Sequence, residues 1–298
     1  MQMKIKHTIT FNLVLLFMSF SQISKSQIEF GVFADCQYCD CETNGTRFYR
    51  NSPEKLRDCI IEFNKNDNIK FVVGLGDLID RNISSFDSVN SILSLSKTDV
   101  FQVIGNHDLE VEKEYLEEVP GKLNLKKTWY SFEMNGWRFI FLNGNDITFQ
   151  SNNNETVEKA KTITAELKHK NKPNYYEWNG GIGEEQLRWM ENELKKGQKK
   201  RQKIILFCHY PLLPYEAHSL WNSDEVLHIL EKYDNVKCWM NGHNHSGNYF
   251  FSKGIHFLNL KGMVETEKTN AFAIVKVSDN YIEILGFGNE PKRMLQLQ

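Results

Sequence analysis

Five times along this chain a run of apolar residues ends in a short polar motif made of metal-ligand side chains. Ile28 to Ala34 runs into Asp35-Cys36-Gln37, and Ile69 to Gly74 into Gly76-Asp77. Val100 to Ile104 runs into Gly105-Asn106-His107-Asp108. Lys203 to Cys208 ends at His209, and Val236 to Met240 runs into Gly242-His243-Asn244-His245. Singly, such a motif is an ordinary turn. Five in series restrict the fold, because side chains at the ends of neighbouring strands in an α/β sheet converge on one crevice.

The segments between the strands support that frame. Pro53 to Asn64 places Leu56, Cys59, Ile60 and Phe63 on one helical face, and Glu184 to Lys196 does the same with Leu187, Met190 and Leu194. Phe86 to Leu95 and Ser223 to Tyr233 read as further helices. Trp129 to Phe132 and Trp137 to Leu142 form a hairpin about Asn135-Gly136. Strands expected at Tyr249 to Phe251, Ile255 to Leu260, Ala271 to Val277 and Tyr281 to Phe287 close the chain. The expectation is one α/β domain over residues 27–298, with two sheets inside and helices outside. Residues 151–180, rich in Asn and Lys at their flanks, read as an excursion or lid.

The converging motifs supply seven donors: Asp35, Gln37, Asp77, Asn106, His209, His243 and His245. That is too many for one divalent ion and suits two, with Asp77 as the bridging carboxylate. The amide of Gln37 is a harder ligand than an imidazole and favours Mn²⁺ over Zn²⁺. Mg²⁺ and Fe²⁺ also suit such a set. His107, beside the ligand Asn106, is expected to donate a proton or hydrogen bond to a leaving oxygen. Asp108 has two readings, as the partner of that imidazole or as a loop cap.

The order Asp-x-Gln, Gly-Asp, Gly-Asn-His-Asp, His and Gly-His-x-His resembles the calcineurin-like metallophosphoesterase superfamily. Only Gln37 departs from its general pattern, which has histidine there. FGVFADCQY, GTRFYRNS, GDLID, GNHD, WNGGIGEEQLRWMENEL, HYPLLP, LWN, NGHNHSGNY and NLKGMVET resemble the manganese-dependent ADP-ribose/CDP-alcohol diphosphatases more closely. The stretch Asp40 to Asn44 is shorter than the matching loop of that family. The resemblance implies a four-layer α/β/β/α sandwich of two mixed sheets. It assigns Asp35, Gln37, Asp77 and His245 to one ion, and Asp77, Asn106, His209 and His243 to the other. It implies hydrolysis of a nucleotide pyrophosphate by water activated between the ions: ADP-ribose to AMP and ribose 5-phosphate, or CDP-alcohols to CMP and a phosphoalcohol. Hydrolysis of cyclic nucleotides or simple phosphoesters is the alternative on the same site. A metal-free scaffold should have lost ligands, and none is missing.

Substrate contacts are expected from Arg47 and Arg50 for phosphate, and from Trp178, Gly180, Gly181, His218 and Trp221 around the nucleoside. The partner is thus a small nucleotide. With 36 basic against 38 acidic residues and a net charge of -2, the chain carries no basic excess of the kind that tracks nucleic acid. Lys4 and Lys6, the apolar stretch Ile9 to Phe20 and Ser24-Lys25-Ser26 read as an export signal over residues 1–26, cleaved near Ser26/Gln27. The stretch is too short to span a bilayer, so a periplasmic or secreted product without a membrane anchor is expected. Oligomeric state leaves no mark on the sequence. Among the six cysteines, Cys36, Cys39 and Cys41 invite a zinc cluster, but no second paired-cysteine motif completes one. Free buried thiols or one disulfide are the better reading, and the sequence does not choose between them.

Overall fold

The computed structural model describes residues 27–298; the expected export signal lies outside them. The first sheet contains β1 (Ile28–Phe33), β2 (Ile69–Gly74), β3 (Val100–Gln102), β10 (Ala271–Val277), β11 (Tyr281–Gly288) and β12 (Arg293–Gln296), in the order β12-β11-β10-β1-β2-β3. The second contains β4 (Tyr130–Met134), β5 (Trp137–Phe141), β6 (Lys203–Phe207), β7 (Val236–Asn241), β8 (Ser246–Ser252) and β9 (Ile255–Lys261), in the order β4-β5-β6-β7-β9-β8. Both are mixed. β1, β2 and β3 run parallel, as do β5, β6, β7 and β9, while β10 pairs antiparallel with β1 and β4 with β5.

Strand alternation builds the layers. Phe30 and Val32 of β1 face inward onto Phe139, Phe207 and Met240 of the other sheet, whereas Phe33 faces out. Phe30 stacks on Phe71 at 4.9 Å and meets Phe139 edge-on at 5.9 Å. Outside the first sheet, α1 (Ser52–Asn64) and α2 (Ser85–Leu93) bury Leu56, Ile60, Phe63, Phe86 and Val89. Outside the second, α5 (Glu184–Lys199) and α6 (Ser223–Leu230) bury Leu187, Met190, Leu194, Val226 and Leu230. The result is the expected α/β/β/α sandwich.

The hairpin turn falls at Asn135 and Gly136, both at positive φ (46° and 83°), as a two-residue turn between twisted strands requires. A short helix, α3 (Val119–Lys122), and the strand β12 went unread in the sequence. β12 is four residues on a sheet edge with one buried side chain, Leu295, too few for a visible period. The excursion holds α4 (Asn154–His169), capped by the Asn153 side chain accepting from the Glu155 N–H. A bridge between Ile147 and Gly181 closes its base, and buried Asn174 donates to the carbonyls of Leu220 and Trp221. Cys39 and Cys41 form a disulfide, and Cys36, Cys59, Cys208 and Cys238 are buried free thiols, so the cysteines follow the thiol and disulfide reading and not the zinc cluster. Among the described residues no helix is long and apolar enough to cross a membrane.

Candidate metal centre

The C-terminal ends of β1, β2, β3, β6 and β7 point to one crevice between the sheets, and each is followed at once by its polar motif. Asp35, Gln37, Asp77 and His243 all have positive φ, between 46° and 71°. Non-glycine residues rarely adopt that conformation, and here it turns four side chains back toward the strand ends. Two glycines let the loops close in. A Cβ on Gly105 would sit 2.0 Å from Asp77 Oδ1, and one on Gly242 would sit 2.6 Å from Asp35 Oδ2.

Ligand atoms of Asp77, His209 and His243 gather within 4.8 Å of one another, and so do those of Asp35, Asp77 and His245. Asp77 belongs to both groups, the position expected of a bridge. Asn106 joins the first group, with Oδ1 3.2 Å from His209 Nε2. Gln37 joins the second, with Nε2 3.1 Å from Asp77 Oδ2 and 3.2 Å from His245 Nε2. All seven predicted donors therefore meet.

Each imidazole is fixed in the tautomer a ligand needs. His209 Nδ1 donates to the Leu75 carbonyl at 2.8 Å, His243 Nε2 to Asn179 Oδ1 at 2.9 Å, and His245 Nδ1 to Glu265 Oε1 at 2.7 Å. The opposite nitrogen of each ring then presents its lone pair to the cluster. Gln37 Oε1 is buried and has no hydrogen-bond partner. A lone buried amide oxygen beside two carboxylates and three imidazoles fits a pair of divalent cations taking oxygen and nitrogen ligands. Burial would raise Asp77, but His209 and His107 more than offset it and hold the carboxyl well below the usual range. Burial pushes Asp35 up. Burial and the neighbouring His209 push His243 well down, which keeps it neutral as a ligand must be.

His107 lies at the edge of this cluster. Its backbone N–H donates to Asp77 Oδ1 at 2.8 Å. Its Nδ1 faces Asp80 Oδ1 and Glu110 Oε2, both at 3.3 Å, and its Nε2 is 3.4 Å from the guanidinium of Arg47. Burial lowers the imidazole pKa, yet Asp77, Asp80 and Glu110 together raise it well above the ordinary value. Asp108 does not orient His107. It is the loop cap, accepting the backbone N–H groups of Asp77, Leu78, Ile79 and Gly105. The imidazole's partner, Asp80, lies three residues after Asp77, a spacing legible in Gly-Asp-Leu-Ile-Asp and left unread.

The expected substrate residues divide. Arg47 reaches the site. His218 does too, with its ring 5.4 Å from that of His243. Trp178 is exposed and stacks at 4.1 Å on Tyr176, one residue from Asn179. Gly180 and Gly181 serve the scaffold. A Cβ on Gly180 would lie 2.3 Å from the Gly144 carbonyl, and Gly181 pairs with Ile147. Trp221 is buried, donates from Nε1 to the Tyr176 carbonyl and packs on Phe149, so it braces the excursion instead of facing the crevice. Arg50 is turned to Asp40 and Glu42, at 2.6 Å each, rather than to the cluster. Asn179 and Glu265 were missed. Both stood inside motifs quoted from the sequence, WNGG and KGMVET, but nothing local links them to His243 or His245.

Residues 28–247 match the family model described as calcineurin-like phosphoesterase. The chain belongs to that family and is a metal-dependent hydrolase. A manganese-dependent ADP-ribose/CDP-alcohol diphosphatase of Arabidopsis thaliana is 31% identical, over 86% of this chain and 93% of its own length. One from Homo sapiens is 26% identical over 92% and 94%. This level of identity over nearly the whole length places the chain in the manganese-dependent ADP-ribose/CDP-alcohol diphosphatase family. Among solved structures, a dimetal phosphatase from Danio rerio has the same fold, with a TM-score of 0.81 and 24% identity, covering 91% of this chain and 99% of that one.

Proposed function

We propose that this chain hydrolyses the pyrophosphate bond of nucleoside diphosphate derivatives. ADP-ribose and water would give AMP and ribose 5-phosphate, and CDP-choline and water would give CMP and phosphocholine. The observation that carries the chemistry is the pairing of two three-residue ligand groups through one shared carboxylate, Asp77. The substrate class is supported by the relatives' names and by the motifs shared with them.

Asp35, Gln37, Asp77 and His245 would hold one manganese ion; Asp77, Asn106, His209 and His243 would hold the other. When bound, the ions supply Lewis-acid charge to the phosphoryl oxygens and lower the pKa of the attacking water. The remaining work falls to the chain. Asp80 and Glu110 keep His107 protonated, so Nε2 carries a proton and cannot accept from Arg47. Two donors 3.4 Å apart then repel each other unless they share an acceptor, and an oxygen of the phosphate that leaves would fill that role. Stripping divalent ions from residues 27–298 should abolish turnover, and Mn²⁺ should restore it. Product chromatography with ADP-ribose, CDP-choline, a cyclic nucleotide and a simple diester checks both points. Turnover of the last two alone would refute the substrate class.

Asp80 gives a second test. Without its charge the imidazolium loses a stabilising neighbour, so the His107 pKa falls. The alkaline limb of kcat in Asp80→Asn should therefore move to lower pH. A pH–rate profile that overlays the wild type would remove Asp80 from this role.

We also propose that the domain is exported. The basic residues, apolar stretch and small-residue site before Gln27 support this, as does the Cys39–Cys41 disulfide, since disulfides persist in oxidising compartments. A fusion of residues 1–26 to a reporter that is active only outside the cytoplasm tests it.

A further inference from the structure

The segment from Gly262 to Thr266 touches both halves of the site. Its backbone pairs with the first metal motif, Met263 N–H donating to Ala34 O and Val264 N–H to Asp35 O, at 2.9 Å each. The Gly262 N–H donates to His245 O at 3.0 Å, and a Cβ on Gly262 would lie 2.7 Å from the His245 ring. On its other side the segment pairs with the loop that carries Arg47. Phe48 N–H donates to Val264 O at 3.0 Å, Thr266 N–H to Thr46 O at 3.2 Å, and Arg47 and Glu265 form a bridge. Buried Lys55, on α1, fixes the segment from below by donating to the carbonyls of Met263, Glu265 and Thr266.

From this we infer that Glu265 is a positioning residue that ties the metal side of the site to its phosphate side. Its carboxylate accepts from His245 Nδ1, and its backbone forms the bridge to Arg47, whose guanidinium lies beside His107. A carboxylate on the far nitrogen of a liganding histidine fixes the ring and makes it a better donor. His245 holds the Glu265 carboxyl below its usual range against burial, helped by Thr46, the residue before Arg47, and by the charge of Arg47 itself. Removing the carboxylate frees the His245 ring and takes away a negative charge that acts on Arg47, while the backbone bridge stays. This inference rests on the reading of Arg47 as a phosphate contact and of His245 as a manganese ligand.

Three single variants of residues 27–298, Glu265→Ala, Glu265→Gln and Arg47→Ala, and the double variant Glu265→Ala/Arg47→Ala separate the two effects. Calorimetric Mn²⁺ titration of metal-stripped protein needs no substrate. Glu265→Ala should weaken manganese at the His245 site by about 10–100-fold. Glu265→Gln, whose amide oxygen still accepts from Nδ1, should recover most of that loss. Arg47→Ala should leave manganese affinity unchanged and raise KM. The KM increase in Glu265→Ala/Arg47→Ala should fall short of the product of the single increases, because both act on one contact. Wild-type manganese affinity in Glu265→Ala, or fully multiplicative KM effects, would overturn the proposal. If Glu265→Ala fails to fold, Glu265→Gln carries the test through KM. That amide lacks the charge that acts on Arg47, so its KM should rise while manganese stays bound; an unchanged KM would overturn the proposal. If wild type turns over neither ADP-ribose nor CDP-choline, the substrate reading falls, and the manganese titration still decides the role of Glu265.

Discussion

His107→Ala is expected to lower kcat by about 10²–10³-fold, the usual loss when one donor aimed at developing charge is removed, and to keep its full complement of manganese. The imidazole stands outside both ligand groups, and its one contact with Asp77 is through the backbone N–H, which alanine retains. Loss of activity without loss of metal is therefore the signature, read by steady-state kinetics beside elemental analysis of the same sample. The leaving group sharpens the test. A donor to the leaving oxygen matters less as that oxygen becomes a weaker base. A p-nitrophenyl ester should suffer less from the substitution than an ester with an aliphatic leaving group. Equal losses on both would assign His107 to holding the non-leaving oxygens, and unchanged turnover would remove it from the chemistry.

The parts of this site that were legible in sequence are those fixed by strand ends. Asp35, Asp77, Asn106, His209 and His243 each follow an apolar run within a few residues, so the sheet delivers them without help from distant chain. The layered sandwich was legible for the same reason, since its strands and main helices carry clear periods. The supporting groups were not. Asn179 meets His243 from 64 residues away, and Glu265 meets His245 only because the Gly262 to Thr266 segment runs beside Ala34 and Asp35, just after β1. Arg50 and Trp221 show the converse. Their types suited a phosphate and a nucleoside, but Asp40 and Glu42 claimed the one, and the Tyr176 carbonyl and the Phe149 ring the other. A side chain's chemistry is local, whereas the direction it faces is set by tertiary contacts.

Asp108 shows how far the metal centre depends on such contacts, and Asp108→Asn is expected to cost about 2–5 kcal/mol of folding stability. Its Oδ2 accepts from Asp77 N–H at 3.0 Å and Gly105 N–H at 2.9 Å; its Oδ1 accepts from Leu78 N–H at 2.8 Å and Ile79 N–H at 3.2 Å. Burial and the charge of Asp77 push this carboxyl up to about 7, and the N–H groups of Gly105 and Ile79 pull the other way. An asparagine of the same size can satisfy only one of the two pairs. Its amide N–H₂ faces the other pair, donor against donor, and leaves two buried backbone groups without acceptors at about 1–3 kcal/mol each. Thermal unfolding of the metal-free protein should show a Tm lower by roughly 5–10 °C. The substitution replaces no metal ligand, yet it should also weaken manganese binding. The four N–H groups belong to the turns after β2 and β3, and Asp108 is what holds Asp77 in one turn against Asn106 in the other. A variant with wild-type Tm and wild-type manganese affinity would show that the backbone of these two turns keeps its shape without the carboxylate.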